Sequence, residues 1–211
     1  MTENEKNLRD LEEWFKMNPT EVAAYEFQKK QLEEMAKEAS TTLPESDAPD
    51  QLTAADVETL IETGEEALED EDFDEAFKCF SKAAAQGHAK AQYMLGTCYE
   101  LNRGVAKNFE KAIELYNKAA AQDAQYQFLL GEEYKKGNIT PKDDAKAAEW
   151  YRKAADRGNA KAEFALGDCY YFGEGVPKDL AKAVEYYRKA EAHGNRRATS
   201  RLDHLKEQGV I

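Results

Sequence analysis

The chain has 211 residues, of which 42% are hydrophobic and 34% are charged, and its formal net charge is −13. This length is sufficient for a continuous hydrophobic core, and no apolar run approaches the roughly 18 residues of a membrane-spanning helix. The N-terminus lacks a basic stretch followed by an apolar one, so we expect no secretory signal. An acidic chain without a basic stripe is a poor nucleic-acid binder. We therefore expect neither membrane insertion nor nucleic-acid binding.

The acidity is concentrated in the first third of the chain. Residues 1–72 contain 22 Asp and Glu against 6 Lys and Arg, whereas residues 73–211 contain 20 against 23. We interpret residues 1–38 as an acidic N-terminal helical hairpin, the arm, whose second helix starts at a proline-containing capping sequence. Such a hairpin is too small to be stable alone. Its aromatic side chains are therefore predicted to contact either the rest of the chain or a partner; they are Trp14, Phe15 and Tyr25.

Residues 39–51 contain two prolines and few large apolar side chains. This composition is typical of a flexible linker. Thr53 with Asp56 then forms a capping-box pattern, which predicts that a helix begins there and leads into Gly64. Residues 52–87 are predicted to form a first pair of helices.

Four copies of one pattern follow in the last two thirds of the chain. The segments 77–87, 113–123, 148–158 and 184–194 resemble one another, at spacings of 36, 35 and 36 residues. A fixed period of this size indicates a solenoid, in which each unit must stack on its neighbours to bury its apolar face. A second set, with Leu and Gly followed by Tyr, recurs between the copies. Each unit is therefore predicted to consist of two helices, A and B.

Several positions of the repeat have a direct physical interpretation. Glycine inside a helix costs about 1 kcal/mol relative to alanine, so its recurrence in helix A implies close packing. Asn108, Asp143 and Asp179 are predicted N-caps of the B helices, because their side-chain oxygens can accept free backbone N–H groups. Each B helix then carries an alanine followed four residues later by a tyrosine; these tyrosines are Tyr116, Tyr151 and Tyr187.

The pattern Ala-x-Ala-x-x-x-Leu-Gly-x-x-Tyr, with the loop Gly-x-Gly-Val-x-Lys-Asp and the ending Tyr-x-Lys-Ala-Ala, resembles the Sel1-like repeat, a relative of the tetratricopeptide repeat. Residues 88–194 match it in three units, here called the second, third and fourth. The third unit departs in its loop, residues 137–141, where we expect a different turn between helices that keep their register. The first unit, residues 52–87, resembles the tetratricopeptide form. Residues 195–211 are predicted to form a C-terminal capping helix.

This resemblance implies an all-α fold, a right-handed α-solenoid of helix pairs with an N-terminal helical hairpin. It also implies that the A helices line a concave groove for a partner. The predicted groove residues are Lys90, Tyr93, Thr97, Gln125, Phe128, Glu132, Lys161, Phe164, Asp168, Tyr171 and Arg197. The aromatic members can equally be core residues, and the charged ones a solvated face. Tyr171 is either a binding hot spot or part of the loop packing.

The residues that carry chemistry give no support for catalysis. The three cysteines, Cys79, Cys98 and Cys169, are interpreted as buried thiols of a cytoplasmic protein. The three histidines have no metal-ligand spacing, and neither a phosphate-binding loop nor a catalytic triad is identifiable. We therefore expect no enzymatic activity, no cofactor and no metal.

We predict a non-enzymatic adaptor or scaffold that binds a peptide or helix of a partner protein in the concave groove. An inhibitor or immunity-type protein that acts through the acidic arm and the repeat surface is the alternative. A third hypothesis places the arm in the groove of its own chain, because Lys90, Lys161 and Arg197 are cationic. If the affinity for the partner falls steeply as ionic strength rises, binding through the acidic arm is favoured over binding in the groove. The identity of the partner is not predicted.

Overall fold

A computed structural model describes residues 52–209 and residue 211. These residues form nine α-helices and no β-strand, which confirms the all-α prediction. The helices are α1 (Ala54–Glu69), α2 (Phe73–Ala85), α3 (Ala89–Leu101), α4 (Phe109–Gln122), α5 (Ala124–Lys136), α6 (Asp144–Ala155), α7 (Ala160–Phe172), α8 (Leu180–Ala192) and α9 (Arg196–Glu207). The predicted arm and linker, with Trp14, Phe15 and Tyr25, lie outside the described residues.

The helices form an α-solenoid of four pairs. Each helix packs mainly on the helix before it and the helix after it in the chain. In every pair the first helix is the predicted A helix and the second is the B helix: α1 with α2, α3 with α4, α5 with α6, and α7 with α8. The unpaired helix α9 packs on α8 at the end of the stack, as predicted for the capping helix.

The helix starts follow the predicted capping chemistry. The side chains of Asn108, Asp143 and Asp179 each accept a hydrogen bond from a backbone N–H three residues later, at 2.9, 2.9 and 3.0 Å. Thr53 and Asp56 form the predicted capping box of α1, in which each side chain accepts from the other residue's backbone N–H. Because these groups satisfy the free N–H groups of the first turn, they set where each helix begins.

Close packing of helix A on helix B explains the glycine inside helix A. A Cβ atom added to Gly96, Gly131 or Gly167 would lie 2.6–2.7 Å from a ring carbon of the B-helix tyrosine in the same unit. In the first unit a Cβ at Gly64 would lie 2.7 Å from the Phe80 ring. Real side chains do not come this close, so only glycine allows the aromatic ring to lie flat against helix A.

The loops of the second and fourth units press directly on the backbone of the preceding unit. Gly104 and Gly175 have φ values of +66° and +72°, in the left-handed region. A Cβ atom there would lie 2.0 Å from the carbonyl oxygen of Phe73 and 1.9 Å from that of Asp144, respectively. Phe73 and Asp144 are the first residues of α2 and α6. These glycines therefore serve contact between units as well as the turn.

The loop of the third unit is built differently, as expected. Ile139 occupies the position equivalent to Gly175 and is not among the residues with positive φ. Its side chain is buried in a cluster with Ala112 and Tyr116 of the preceding unit. The flanking helices keep their register, because Asp143 N–H donates to the Tyr134 carbonyl at 2.9 Å, and the same bond recurs in the second and fourth units. In the third unit, the side chain of Ile139 therefore makes the contact with the preceding unit that the glycine backbone makes in the second and fourth units.

Candidate functional site

A groove lies on the A helices of the last units. One cavity of about 570 Å³ is lined by residues of α5 and α7, by the start of α9, and by the turn that precedes α9. A smaller cavity of about 270 Å³ shares Phe164 and Arg197 with it and continues along α9. We call the two cavities together the A-helix groove. Six of the eleven predicted groove residues line the larger cavity: Phe128, Glu132, Lys161, Phe164, Asp168 and Arg197.

Two of the three predicted aromatic residues of helix A, Phe128 and Phe164, pack in the core and also line the cavity. The rings of Phe128 and Phe164 pack on those of Tyr151 and Tyr187, with centroids 5.8 and 5.6 Å apart. Tyr93 packs in the same way on the B-helix tyrosine of its unit, at 4.9 Å. Phe164 is buried and Phe128 is half-buried, and both line the cavity. The core and groove interpretations therefore apply together to Phe128 and Phe164, whereas Tyr93 does not line the larger cavity.

Two predicted contact carboxylates are engaged by tyrosines of their own units. Tyr151 donates its hydroxyl proton to Glu132 at 2.5 Å, and Tyr187 donates to Asp168 at 2.7 Å. Burial of each hydroxyl raises the tyrosine pKa, and the hydrogen bond to the carboxylate raises it further. Both tyrosines thus stay protonated as donors. They hold the carboxylates against the floor of the groove, where Asp168 also accepts from Arg201 at 3.3 Å.

The second unit keeps this bond with a different acceptor. Thr97 occupies the position equivalent to Glu132, and its hydroxyl donates to the Met94 carbonyl at 2.7 Å. Glu100, one helical turn later, accepts from the Tyr116 hydroxyl at 2.6 Å instead. Residues three apart on a helix lie on the same face, so the tyrosine reaches either position.

The first unit lacks this bond. Phe80 takes the place of the tyrosine and has no hydroxyl, although its ring is fully buried. The equivalent carboxylate, Glu65, pairs with Lys90 of the next A helix at 2.7 Å. Lys90, a predicted groove residue, is therefore used between the first and second units and does not line the A-helix groove.

Removing one hydroxyl should show what the tyrosine–carboxylate bond contributes. We expect Tyr151→Phe to lower the free energy of unfolding by about 1.5 kcal/mol, because a partly buried carboxylate loses its donor. Urea unfolding followed by circular dichroism measures this change. The matched control is Asn117→Ala, which removes a half-buried side chain whose amide donates to a carbonyl of its own helix. A Tyr151→Phe protein as stable as the unchanged chain would contradict the assignment.

Two cations of the groove have no acidic partner among the described residues. Lys161 and Arg197 are exposed and line the cavity, and the Arg197 guanidinium lies 4.7 Å from the centre of the Phe164 ring. By contrast, the neighbouring Lys135 forms an ion pair with Glu174 at 3.2 Å. The rim of the groove is therefore cationic, whereas its floor is aromatic and carries carboxylates that are already hydrogen-bonded.

His193 lines the cavity as well, which the sequence did not indicate. It is the C-cap of α8, and its Nδ1 lies 2.8 Å from the carboxylate of Glu163, whose side chain is 3% exposed. In the second unit the equivalent pair is Gln122 and Gln92, whose side-chain amides are hydrogen-bonded at 2.9 Å. Both pairs are separated by 30 residues, and both tie the end of helix B to the start of helix A. This shared spacing of 30 residues is the feature of the sequence that could have indicated the contact between His193 and Glu163.

The remaining predicted residues do not line the larger cavity. Gln125 is exposed in the first turn of α5, and Tyr93 and Thr97 belong to the second unit. Tyr171 packs edge-on against Phe172 with centroids 4.9 Å apart, and Arg201 covers both rings. A role of these residues in partner binding stays a prediction.

The described residues contain neither a metal-ligand cluster nor a cysteine with a lowered pKa. They include no group of His, Cys, Asp and Glu that could hold a metal ion. Burial raises the pKa of the Cys98 and Cys169 thiols to about 11, and Cys79 is buried as well. None of the nine helices is long and apolar enough to cross a bilayer.

A family model for the Sel1 repeat matches residues 60–88, 89–123, 124–159 and 160–195. The chain belongs to the Sel1 repeat family. The match includes most of the first unit, whose spacing resembles the tetratricopeptide form. Sel1 repeat proteins are generally protein-interaction scaffolds and are typically non-catalytic.

Solved Sel1 repeat structures share the fold. The protective antigen c5321 of uropathogenic Escherichia coli, described as displaying an SLR fold, is 30% identical with a TM-score of 0.65, over 84% of this chain and 36% of that one. A Sel1 repeat protein from Oxalobacter formigenes is 37% identical with a TM-score of 0.62, over 71% and 62%.

A shorter similarity links the chain to a curated protein. The DAP3-binding cell death enhancer 1 of Mus musculus is 44% identical over 50 residues, which are 24% of this chain and 10% of that protein. The rat protein of the same name is 42% identical over the same share. The chain thus matches about a tenth of the length of these relatives.

Proposed function

We propose that this Sel1 repeat protein is a non-enzymatic adaptor whose A-helix groove binds a segment of a partner protein. The observation that carries the proposal is the convergence of residues from α5, α7 and α9 on one cavity of about 570 Å³. A cavity of this size accommodates a few side chains of a bound segment. It combines an aromatic floor with an arginine at the rim, and these residue types are enriched at interface hot spots.

The family and the relatives support a binding role. Sel1 repeat proteins generally act as interaction scaffolds, and the mouse relative is named as DAP3-binding. We also infer a cytoplasmic location, because three buried free thiols suit a reducing compartment. The alternative of an inhibitor that acts through the acidic arm stays a prediction, since residues 1–51 lie outside the described part of the chain.

Site-specific photo-crosslinking tests the adaptor proposal. A benzophenone amino acid is introduced in the cell at Ser200, which is exposed on α9 and lines the smaller cavity of the A-helix groove. The matched control position is Glu149, which is exposed on the B helix α6. We expect discrete protein adducts from position 200 that are at least about tenfold stronger than those from position 149, because only the first position lies in the groove. Equal adducts from both positions would contradict groove binding.

A further inference from the structure

We propose that the A-helix groove recognises an acidic segment, in which one or more carboxylates lie next to an apolar or aromatic side chain. This inference rests on the proposed function, because it assigns the chemistry of the segment that the groove binds. The carboxylates pair with Lys161 and Arg197 at the rim, and the apolar side chain packs on Phe128 and Ala165.

The cations of the rim are left without partners inside the described part of the chain. Residues 52–209 form many ion pairs, and Lys135 and Arg201 on the same face each have an acidic oxygen within 4.0 Å. Among these residues, neither Lys161 nor Arg197 has one. The two carboxylates in the cavity, Glu132 and Asp168, are half-buried and accept from tyrosine hydroxyls. They lie at the floor, so an anionic group that approaches the rim meets the two cations first.

The helix start of α9 at the cavity reinforces this charge. Lys161 and Arg197 lie in the first turns of α7 and α9, where the backbone N–H groups carry partial positive charge. The N-caps of these two helices are the neutral Asn159 and Asn195. The preceding A helix, α5, is instead capped by the carboxylate of Asp123. The first turn of α9 contains no acidic side chain, whereas the first turn of α7 contains the buried Glu163, which pairs with His193. The positive end of α9, beside Arg197, is therefore hydrogen-bonded without being neutralised.

Arg197 is preorganised for a carboxylate. Its guanidinium packs over the Phe164 ring at 4.7 Å, which restrains a side chain that is otherwise highly flexible. A restrained guanidinium loses less conformational entropy when it binds a carboxylate through its planar set of donors. The half-buried Phe128 and Ala165 offer apolar surface in the same cavity, whereas Phe164 is 6% exposed and serves mainly as the support of Arg197. This juxtaposition selects a segment with both kinds of side chain.

A nucleic acid would offer phosphates to the same cations, but the rest of the chain disfavours it. Residues 73–211, which carry the groove, contain 20 Asp and Glu against 23 Lys and Arg, so they lack the large positive excess that holds a long polyanion. A short segment with a few carboxylates needs only the two cations of the rim. The occupant of the A-helix groove is therefore an acidic protein segment.

Selection from a library of random peptides displayed on phage tests the inference on the full-length protein. We expect the selected peptides to contain at least two Asp or Glu near a Leu, Phe or Trp. The affinity of labelled selected peptides is then measured by fluorescence anisotropy. The double variant Lys161→Gln, Arg197→Gln should bind about tenfold more weakly, because it loses two partly exposed charge pairs. The control variant Lys153→Gln, Arg188→Gln removes the same charge from exposed positions on α6 and α8 and should bind normally.

A third variant, Phe128→Ala, separates the inference from the proposed function. Two outcomes would overturn the acidic inference and leave groove binding intact. In the first, the selected peptides lose affinity for the Phe128→Ala protein but are not acidic. In the second, they lose affinity for that protein but bind the Lys161→Gln, Arg197→Gln protein normally. Peptides that are insensitive to all groove variants, or a selection that yields none, overturn both. Selected sequences that resemble residues 1–38 would support the acidic chemistry and identify this chain's own arm as an occupant. Circular dichroism confirms that each variant is folded.

Discussion

Gly175→Ala is expected to lower the free energy of unfolding by about 3 kcal/mol. Its φ of +72° costs an alanine about 1 kcal/mol, and the added Cβ would lie 1.9 Å from the Asp144 carbonyl oxygen. That oxygen belongs to the first residue of α6 and cannot move without shifting the helix. The substitution should therefore separate the fourth unit from the third. Urea unfolding of the full chain measures the loss.

Gly194→Ala is the matched control for this substitution. Gly194 also lies in the left-handed region, with φ of +84°, but an added Cβ would meet nothing within 4 Å. Gly194→Ala should therefore lower the free energy of unfolding only by the cost of placing alanine at a positive φ, about 1 kcal/mol. The difference between the two alanine variants isolates the clash between units. Equal losses would mean that the loop of the fourth unit does not press on α6.

Gly167→Ala is expected to destabilise the protein by about 2 kcal/mol, although alanine is the better helix former. The new Cβ would lie 2.6 Å from the Tyr187 ring, which is fully buried. The ring must shift, and its hydroxyl then loses the position from which it donates to Asp168 at 2.7 Å. One methyl group thus disturbs the packing of helix A on helix B and the bond at the floor of the groove.

A double-mutant cycle with Tyr187→Ala tests this cause. Once the ring is removed, Gly167→Ala no longer meets an obstacle and should become neutral or stabilising by up to about 1 kcal/mol through helix propensity. The effect of the same substitution therefore changes sign between the two backgrounds. A loss of about 2 kcal/mol in both would show that the Tyr187 ring is not the obstacle.

The parts of this fold that depend on local chemistry could be predicted from the sequence. The caps at Asn108, Asp143 and Asp179 were predictable because a cap needs only a short side chain beside its own helix start. The recurring glycine implied close packing, and the repeat spacing implied stacking of helix pairs. Six predicted groove residues line one cavity for the same reason, since equivalent positions of stacked units face the same side.

What could not be predicted depends on the reach of side chains between helices. The pattern alone does not show that Glu132 and Asp168 accept from tyrosines, so their roles at the floor were not anticipated. The pairing of His193 with the buried Glu163 likewise joins residues 30 apart. Which cations have an acidic partner among residues 52–209 decides the chemistry of the groove, and that is a property of three-dimensional distances.

The shifted acceptor of the second unit limits how these repeats can be exchanged. In a sequence alignment, Thr97 stands where the other units have a carboxylate, so the second unit appears to have lost the acceptor for its tyrosine. In the structure, Glu100 accepts that hydrogen bond from Tyr116. A consensus built column by column would discard Glu100 as variable and would leave the Tyr116 hydroxyl unpaired. Chimeric arrays made from this family should therefore transplant whole helix pairs, because equivalence in an alignment is not equivalence of contact.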